Sequence, residues 1–260
     1  MSTCIEVERR GSSTWLWLAR PNLHNAFDDA LIAELTDLLT EIEADPSVRS
    51  VVLSGRGATF SAGADLTWMR RMAAADEAEN RADAERLAAL MRTLCFLGKP
   101  TIARVNGSAY GGGVGLIACC DIAIAVEGAK FALSEVKLGL VPAVIAPYVR
   151  AAIGNRMARR YFVSGEIFDV AEALRIGLVH IGTEVAELDA AVERQLHWLG
   201  KGGPIAQREA KSLALGIERN EAERIDAGNA ALIARLRVSA EGQEGLTAFL
   251  EKRPPHWSST

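Results

Sequence analysis

The feature that most constrains this chain is a strand–strand–helix unit that recurs about 45–50 residues apart. Cys4–Arg9 and Thr14–Ala19 alternate as two strands around Gly11, and a period of two puts Trp15 and Trp17 on one face. A helix follows from about Asp28 to Ala44. Leu31, Leu35, Leu38 and Ile42 lie at helical spacing, aspartates open it, and Pro46 follows its end. Ser50–Ser54 starts the next unit as a buried strand, and GATFSAGADL runs from loop into helix. Leu87, Leu90, Met91 and Leu94 mark a second long helix that stops before Lys99–Pro100. The pattern returns with a strand at Thr101–Val105, a turn at Asn106–Gly107 and a glycine-rich helix opening at Gly111–Cys120. Ile122–Val126 and Lys130–Leu133 read as strands, with helical pieces from Ala143, Arg156 and Val170. Beyond Gly200 the chain is charged and helical, without a strand signal. Strands and helices in this alternation predict an α/β fold, with a core over 1–199 and a helical region over 200–260.

Composition narrows the classes. The 260 residues carry 29 basic and 33 acidic side chains, a net charge of −4, with 49% hydrophobic and 24% charged residues. That is the profile of a folded globular protein, and it lacks the basic footprint of a nucleic-acid binder. Cys4, Cys95, Cys119 and Cys120 have no metal-ligand spacing and predict buried, reduced thiols, hence no metal and a cytoplasmic location. The N-terminus has no apolar run suited to a signal peptide. The longest uncharged apolar run, Leu138 to Val149, contains two prolines and is too short for a membrane span.

Two glycine-rich loops, SAGAD at Ser61–Asp65 and Gly111–Gly113, each follow a strand and open a helix. Such loops present free backbone N–H groups with a helix dipole behind them. If they converge, they form an oxyanion hole, each donor of which is worth roughly a hundred- to thousand-fold in rate. No Gly-Lys-Ser/Thr follows either loop, which excludes a phosphate-binding P-loop, and Gly-x-Gly-x-x-Gly spacing is absent. Taken singly, either loop is also a tight structural turn.

The ordered set RPNLHNAF, FSAGADL, VNGSAYGGG, CDIAIA, FALSEVKLGL and FLEKRPPHW resembles the enoyl-CoA hydratase/isomerase (crotonase) superfamily over nearly the whole chain. The resemblance implies a spiral of ββα turns holding the CoA and catalytic site. It also implies a C-terminal helical extension for lid and assembly, a homotrimer or hexamer, and an acyl-CoA thioester substrate. No cofactor is implied beyond the coenzyme A of the substrate itself. The oxyanion donors carried over are the amides of Ala62 and Gly112, stabilising charge on the thioester oxygen of an enolate. The hydratase pattern has two glutamates; here Glu135 in SEVKLG matches one, and Gly115 stands at the other.

Glu135 alone can act as general acid or base. One-glutamate members of the superfamily include double-bond isomerases. The runs ACCDIAIA and SEVKLGLVPAVIAPYV, however, are similar to a bacterial hydratase branch acting on glutaconyl-type substrates such as 3-methylglutaconyl-CoA. Gly115 is expected to leave space near the reacting carbon for a substrate with its own carboxylate. Arg70 and Arg71 are the nearest candidates to bind that carboxylate. The remaining substrate-binding candidates are Ala26 in RPNLHNAF, Gly63, Ala64, Asp65 and Leu66 in the first loop, and Trp68 on its helix. Met69 and Met72 share that helix, where packing explains them equally well. His24 is a turn residue, and His180, His197 and His256 have no Ser or Cys partner. A non-catalytic or RNA-binding relative is a remote alternative, RNA being disfavoured by the net charge.

Overall fold

A computed structural model of the chain describes residues 4–217 and 219–258. The first three residues of the expected leader-free N-terminus, and 218 and 259–260 of the helical region, lie outside them. The hairpin forms as expected: β1 (Ile5–Arg10) pairs antiparallel with β2 (Ser13–Leu18). Trp15 and Trp17 are both buried and stack with ring centroids 5.5 Å apart. Helix α1 (Asp29–Ala44) begins where the Asp28 side chain accepts the Leu31 N–H, and it buries Leu31, Leu35 and Ile42.

The repeat is real but unequal. β3 (Ser50–Gly55), β5 (Thr101–Val105) and β7 (Ile122–Val126) are each followed by a three-residue strand, β4 (Thr59–Ser61), β6 (Ser108–Tyr110) and β8 (Lys130–Ala132). The first unit carries two helices, α2 (Leu66–Ala74) and α3 (Glu77–Cys95), whereas the second carries only the eight-residue α4 (Gly112–Cys119). Later come α5 (Ala146–Ser164), β9 (Phe168–Asp169), α6 (Val170–Ile176) and β10 (Ile181–Thr183). The helical pieces expected from Ala143 and Arg156 are one element, α5, kinked at Gly154 with φ 74°. The long strands and the three-residue β10 build a six-stranded sheet ordered β1-β2-β3-β5-β7-β10, and the other short ones a four-stranded sheet ordered β4-β6-β8-β9. The steps β3–β4, β5–β6 and β7–β8 therefore each carry the chain from one sheet to the other, whereas β1–β2 stays within the larger. Both glycine-rich loops leave neighbouring strands of the small sheet, because β4 and β6 pair in parallel. That pairing brings the loops together.

The helical region closes over this core. α7 (Leu188–Leu199) ends at the expected boundary, and beyond it come α8 (Pro204–Leu215), α9 (Arg219–Val238) and α10 (Ala240–Leu250). Ile233 and Leu246 join the main core, while Leu232 and Leu236 are half-buried against it. Charge also ties α9 to α3, through Arg92–Asp226 and Arg237–Asp83, both acids being buried. Among the described residues no helix is long and apolar enough to cross a membrane. All four cysteines are free; three are buried, and Cys4 is only half-buried.

The backbone of α10 lies directly on the short 3-10 turn Glu135–Leu138, so Gly245 has no room for a side chain. A Cβ there would stand 2.2 Å from the Leu138 carbonyl oxygen. Gly245→Ala is therefore expected to destabilise the fold by roughly 1–3 kcal/mol through overpacking. It should also lower activity by shifting that turn. Thermal melting alongside steady-state kinetics checks both, and an unchanged melt would show that the contact is slack.

Candidate active site

Three segments meet at one cavity of about 300 Å³: the first loop, the second loop, and the turn carrying Glu135. Their closeness follows from backbone contacts. Gly63 has φ 83°, and a Cβ on it would stand 2.9 Å from the Tyr110 carbonyl oxygen. A Cβ on Gly111 would stand 3.1 Å from Glu135 Oε1. The Phe27 ring lies over Gly112, where a Cβ would fall 2.6 Å from Phe27 Cε2. RPNLHNAF holds this arrangement from below. The buried Asn25 donates to the carbonyls of Arg56 and Thr59 at 2.9 and 2.7 Å, and its own oxygen accepts the Arg20 N–H.

Hydrogen bonding decides which amides are free. The Ala62 N–H donates to the His24 carbonyl at 2.9 Å, so the expected donor is already engaged. The Gly63 N–H donates to Ser61 Oγ at 3.2 Å and the Asp65 N–H to the Phe27 carbonyl at 2.8 Å. Among the described residues the Ala64 N–H has no acceptor, and Ala64 lines the cavity. In the second loop the Gly111 N–H is bonded to the Ala132 carbonyl, and Gly112, which opens α4, has an N–H with no acceptor. The donor pair facing the cavity is therefore Ala64 and Gly112, and Ala62 is corrected to a lining residue. The motif SAGAD alone does not distinguish its two alanines; the hydrogen bonds do.

Glu135 Oε2 is sealed from solvent and has no hydrogen-bond partner among the described residues. Burial pushes this carboxyl up to about 7, opposed only by its own backbone N–H. A group titrating near neutrality beside unpaired N–H donors can take and return a proton.

Gly115 does not leave space. A Cβ there would stand 2.3 Å from Ile145 Cγ2 and 3.3 Å from Met91 Cε, so Ile145 fills the volume and Gly115 lies beneath the cavity wall. Other expected substrate contacts also move. Ala26 is buried outside the cavity, with its carbonyl accepting from Arg20 Nη1 at 2.9 Å. Asp65 caps α2 through the N–H groups of Thr67 and Trp68 and pairs with Arg20, and Leu66 is 48% exposed. Arg70 and Arg71 both face solvent, Arg71 pairing with Asp29, and neither lines the cavity. Gly63, Ala64, Trp68, Met69, Met72 and Gly112 do line it.

Sequence reasoning missed the wall supplied by the C-terminal helices: Ile233, Arg237, Leu246 and Phe249. One signal was available. Ala230, Ile233 and Ala234 are the buried stripe of α9, and Arg237 continues it at helical spacing. An arginine on an apolar face is a marked position.

The enoyl-CoA hydratase/isomerase family profile matches residues 10–260. The chain is 31% identical to crotonyl-CoA hydratase of Syntrophomonas wolfei, covering 98% of each chain. It is 32% identical to 2,3-dehydroadipyl-CoA hydratase of Escherichia coli, covering 96% of each. Among solved structures, an enoyl-CoA hydratase from Shewanella pealeana is similar at TM-score 0.79 and 43% identity, covering 98% of this chain and 96% of that one. The chain belongs to the enoyl-CoA hydratase/isomerase family and has the crotonase fold.

Restoring a glutamate at Gly115 should fail. Gly115→Glu is expected to destabilise by roughly 1–3 kcal/mol or more and to lower hydration of crotonyl-CoA. Adding Ile145→Gly should recover part of the stability by emptying the occupied volume. Normal melting of Gly115→Glu alone would show that Ile145 yields readily.

Proposed function

We propose that the chain hydrates an α,β-unsaturated acyl-CoA, using Glu135 as its single base. The carrying observation is that Glu135, one of whose carboxylate oxygens is sealed and unpartnered among the described residues, lines a cavity that also presents two backbone N–H groups without acceptors. In this mechanism the Glu135 carboxylate takes a proton from water as the water oxygen bonds to the β-carbon. The alkene electrons move onto the thioester oxygen, and the N–H groups of Ala64 and Gly112 stabilise that enolate. Glu135 then returns its proton to the α-carbon, giving the 3-hydroxyacyl-CoA and a carboxylate ready for the next cycle. Water and alkene balance the reaction, and no cofactor beyond the substrate's coenzyme A is required.

The proposed acyl group is of the glutaconyl type, with 3-methylglutaconyl-CoA the leading candidate. The resemblance of ACCDIAIA and SEVKLGLVPAVIAPYV to the glutaconyl branch supports it. So does the similarity to a relative named for 2,3-dehydroadipyl-CoA, adipyl being a dicarboxylic acyl group. A site with one carboxyl repels a second carboxylate less than a two-glutamate site would. Double-bond isomerisation is the second reading, favoured by that same lone carboxyl. Turnover of crotonyl-CoA, 3-methylglutaconyl-CoA and a 3-enoyl-CoA in labelled water separates the two. Hydration incorporates the label and isomerisation does not.

We also infer a cytoplasmic homotrimer or hexamer in which residues 200–260 serve as lid and assembly region. Ile233, Leu246 and Phe249 at the cavity support the lid, and Ile205 and Leu213, both well exposed, support the contact surface. Light scattering at micromolar concentration should give at least three times the chain mass; a monomer would reject the assembly.

Glu135→Gln should lower hydration by roughly a hundred- to ten-thousand-fold. In the wild type the base must be ionised, so kcat/KM should rise with pH and level off above about 7. Stability should run the other way. An ordinary glutamate ionises near 4.5 and Glu135 near 7, so between these values the unfolded chain loses its proton first. Stability contributed by the retained proton is complete below 4.5 and lost as pH rises through 7. Glu135→Gln should consequently be more stable than wild type at pH 8, by on the order of 3 kcal/mol, with little difference at pH 4. Melting curves at the two pH values test this, and equal stability at both would contradict the burial of the charge.

A further inference from the structure

The geometry points to Arg237 as the residue that selects the acyl group, binding a carboxylate at the end of the acyl chain opposite the thioester. This rests on the acyl-CoA reading above and assigns the part of the site that reads the acyl terminus. Arg237 enters the cavity wall from α9, beside Trp68, Met69, Met72 and Ile233, all of which are buried. Its own side chain is only 13% exposed. A guanidinium in an otherwise apolar wall needs an explanation, because desolvating a charge is costly unless it is paired.

Half of that explanation is internal. Arg237 Nη1 donates to Asp83 Oδ2 at 3.0 Å and to Asn80 Oδ1 at 3.2 Å. Both partners are fixed in turn. Asp83 Oδ1 accepts the Trp68 indole N–H at 3.0 Å, and the Asn80 amide donates to the carbonyls of Met72, Ala75 and Asp76. The guanidinium carbon also lies 5.4 Å from the Trp68 ring centroid. Gln243 Nε2 donates to the Arg237 carbonyl at 2.7 Å, which anchors the backbone from α10. The arginine is thus held in one orientation before any ligand arrives.

The other half faces outward. Among the described residues Arg237 Nε and Nη2 make no hydrogen bond, yet neither atom is sealed from solvent. Nε and Nη2 form one edge of the guanidinium, the fork that matches the two oxygens of a carboxylate. Charge points the same way. In the ion-pair network that includes this residue, Arg71, Arg86 and Arg237 share two acids, Asp29 and Asp83, so no acid is paired with Arg237 alone. The other charged cavity residues are Lys137, also cationic, and the base Glu135, which lies in the turn facing the two glycine loops. A terminal carboxylate would satisfy the open edge and give Arg237 an acid of its own. Arg70 and Arg71, the candidates nearest in sequence, offer neither cavity access nor a dry setting.

The test is a binding series with saturated thioesters, which bind without reacting. Glutaryl-, adipyl- and pimelyl-CoA are compared by calorimetry with neutral isosteres in which an isopropyl group replaces the carboxylate. Glutaryl-CoA is thereby set against 5-methylhexanoyl-CoA. In the wild type at least one dicarboxylic member should bind about 10- to 100-fold more tightly than its isostere. In Arg237→Gln, which can still donate to Asp83, that ratio should collapse towards one. Arg237→Lys, which keeps the charge but loses the fork, should retain part of it. A wild-type ratio near one at every length overturns the proposal, whether or not the variants fold. So does an Arg237→Gln ratio equal to wild type, or an equal loss for acid and isostere, which would put Arg237 on the coenzyme A portion. Because this series reads binding alone, failure of the hydratase reading would appear separately, as no hydration of any enoyl-CoA.

Discussion

Everything at the site depends on one backbone-to-backbone contact, Gly63 against Tyr110 and Gly111. It is possible because β4 and β6 are parallel neighbours and because the left-handed Gly63 has no side chain to hold the loops apart. With the loops in contact, most of their N–H groups find carbonyl or hydroxyl acceptors, and two that face the cavity do not. Those two N–H groups are left free at the cavity, where a developing oxyanion would accept from them.

Glu135 carries a cost of its own. Its carboxyl is enclosed with one oxygen unsatisfied, so its charge is disfavoured and its proton held to about neutrality. A better-solvated glutamate would make a more stable protein and a weaker base. The turn that carries it is gripped by α10 at Gly245, so the enclosure is built partly from residues more than a hundred positions away. Catalytic position and C-terminal packing are mechanically linked.

The cavity's far wall extends that linkage. α9 and α10 supply Ile233, Arg237, Leu246 and Phe249, and α9 is tied to α3 by buried ion pairs. Ile145 occupies the volume above Gly115, so loss of the first glutamate comes with a filled wall and a narrower choice of chemistry. One carboxyl does the proton work, and the remaining charged groups of the wall, Lys137 and Arg237, are cationic.

Local physics made much of this protein legible. The period-two tryptophans, the capped α1, the long buried strands and the all-helical tail follow from spacing and end signals, which act over a few residues. Of the short strands only β8 was legible; β4, β6, β9 and β10 were not, since two or three residues carry little period. By itself the sequence determined the glycine loops, the single Glu135 and the family resemblance, because these are matters of residue type and order. Tertiary structure decided the rest. Ala64 instead of Ala62 is the free donor because His24 supplies an acceptor; Gly115 is filled because Ile145 comes back over it; Arg237 replaces Arg70 and Arg71 because α9 folds onto α2 and α3. Whether an amide is paired, a space occupied or a charge buried depends on segments that meet only in three dimensions.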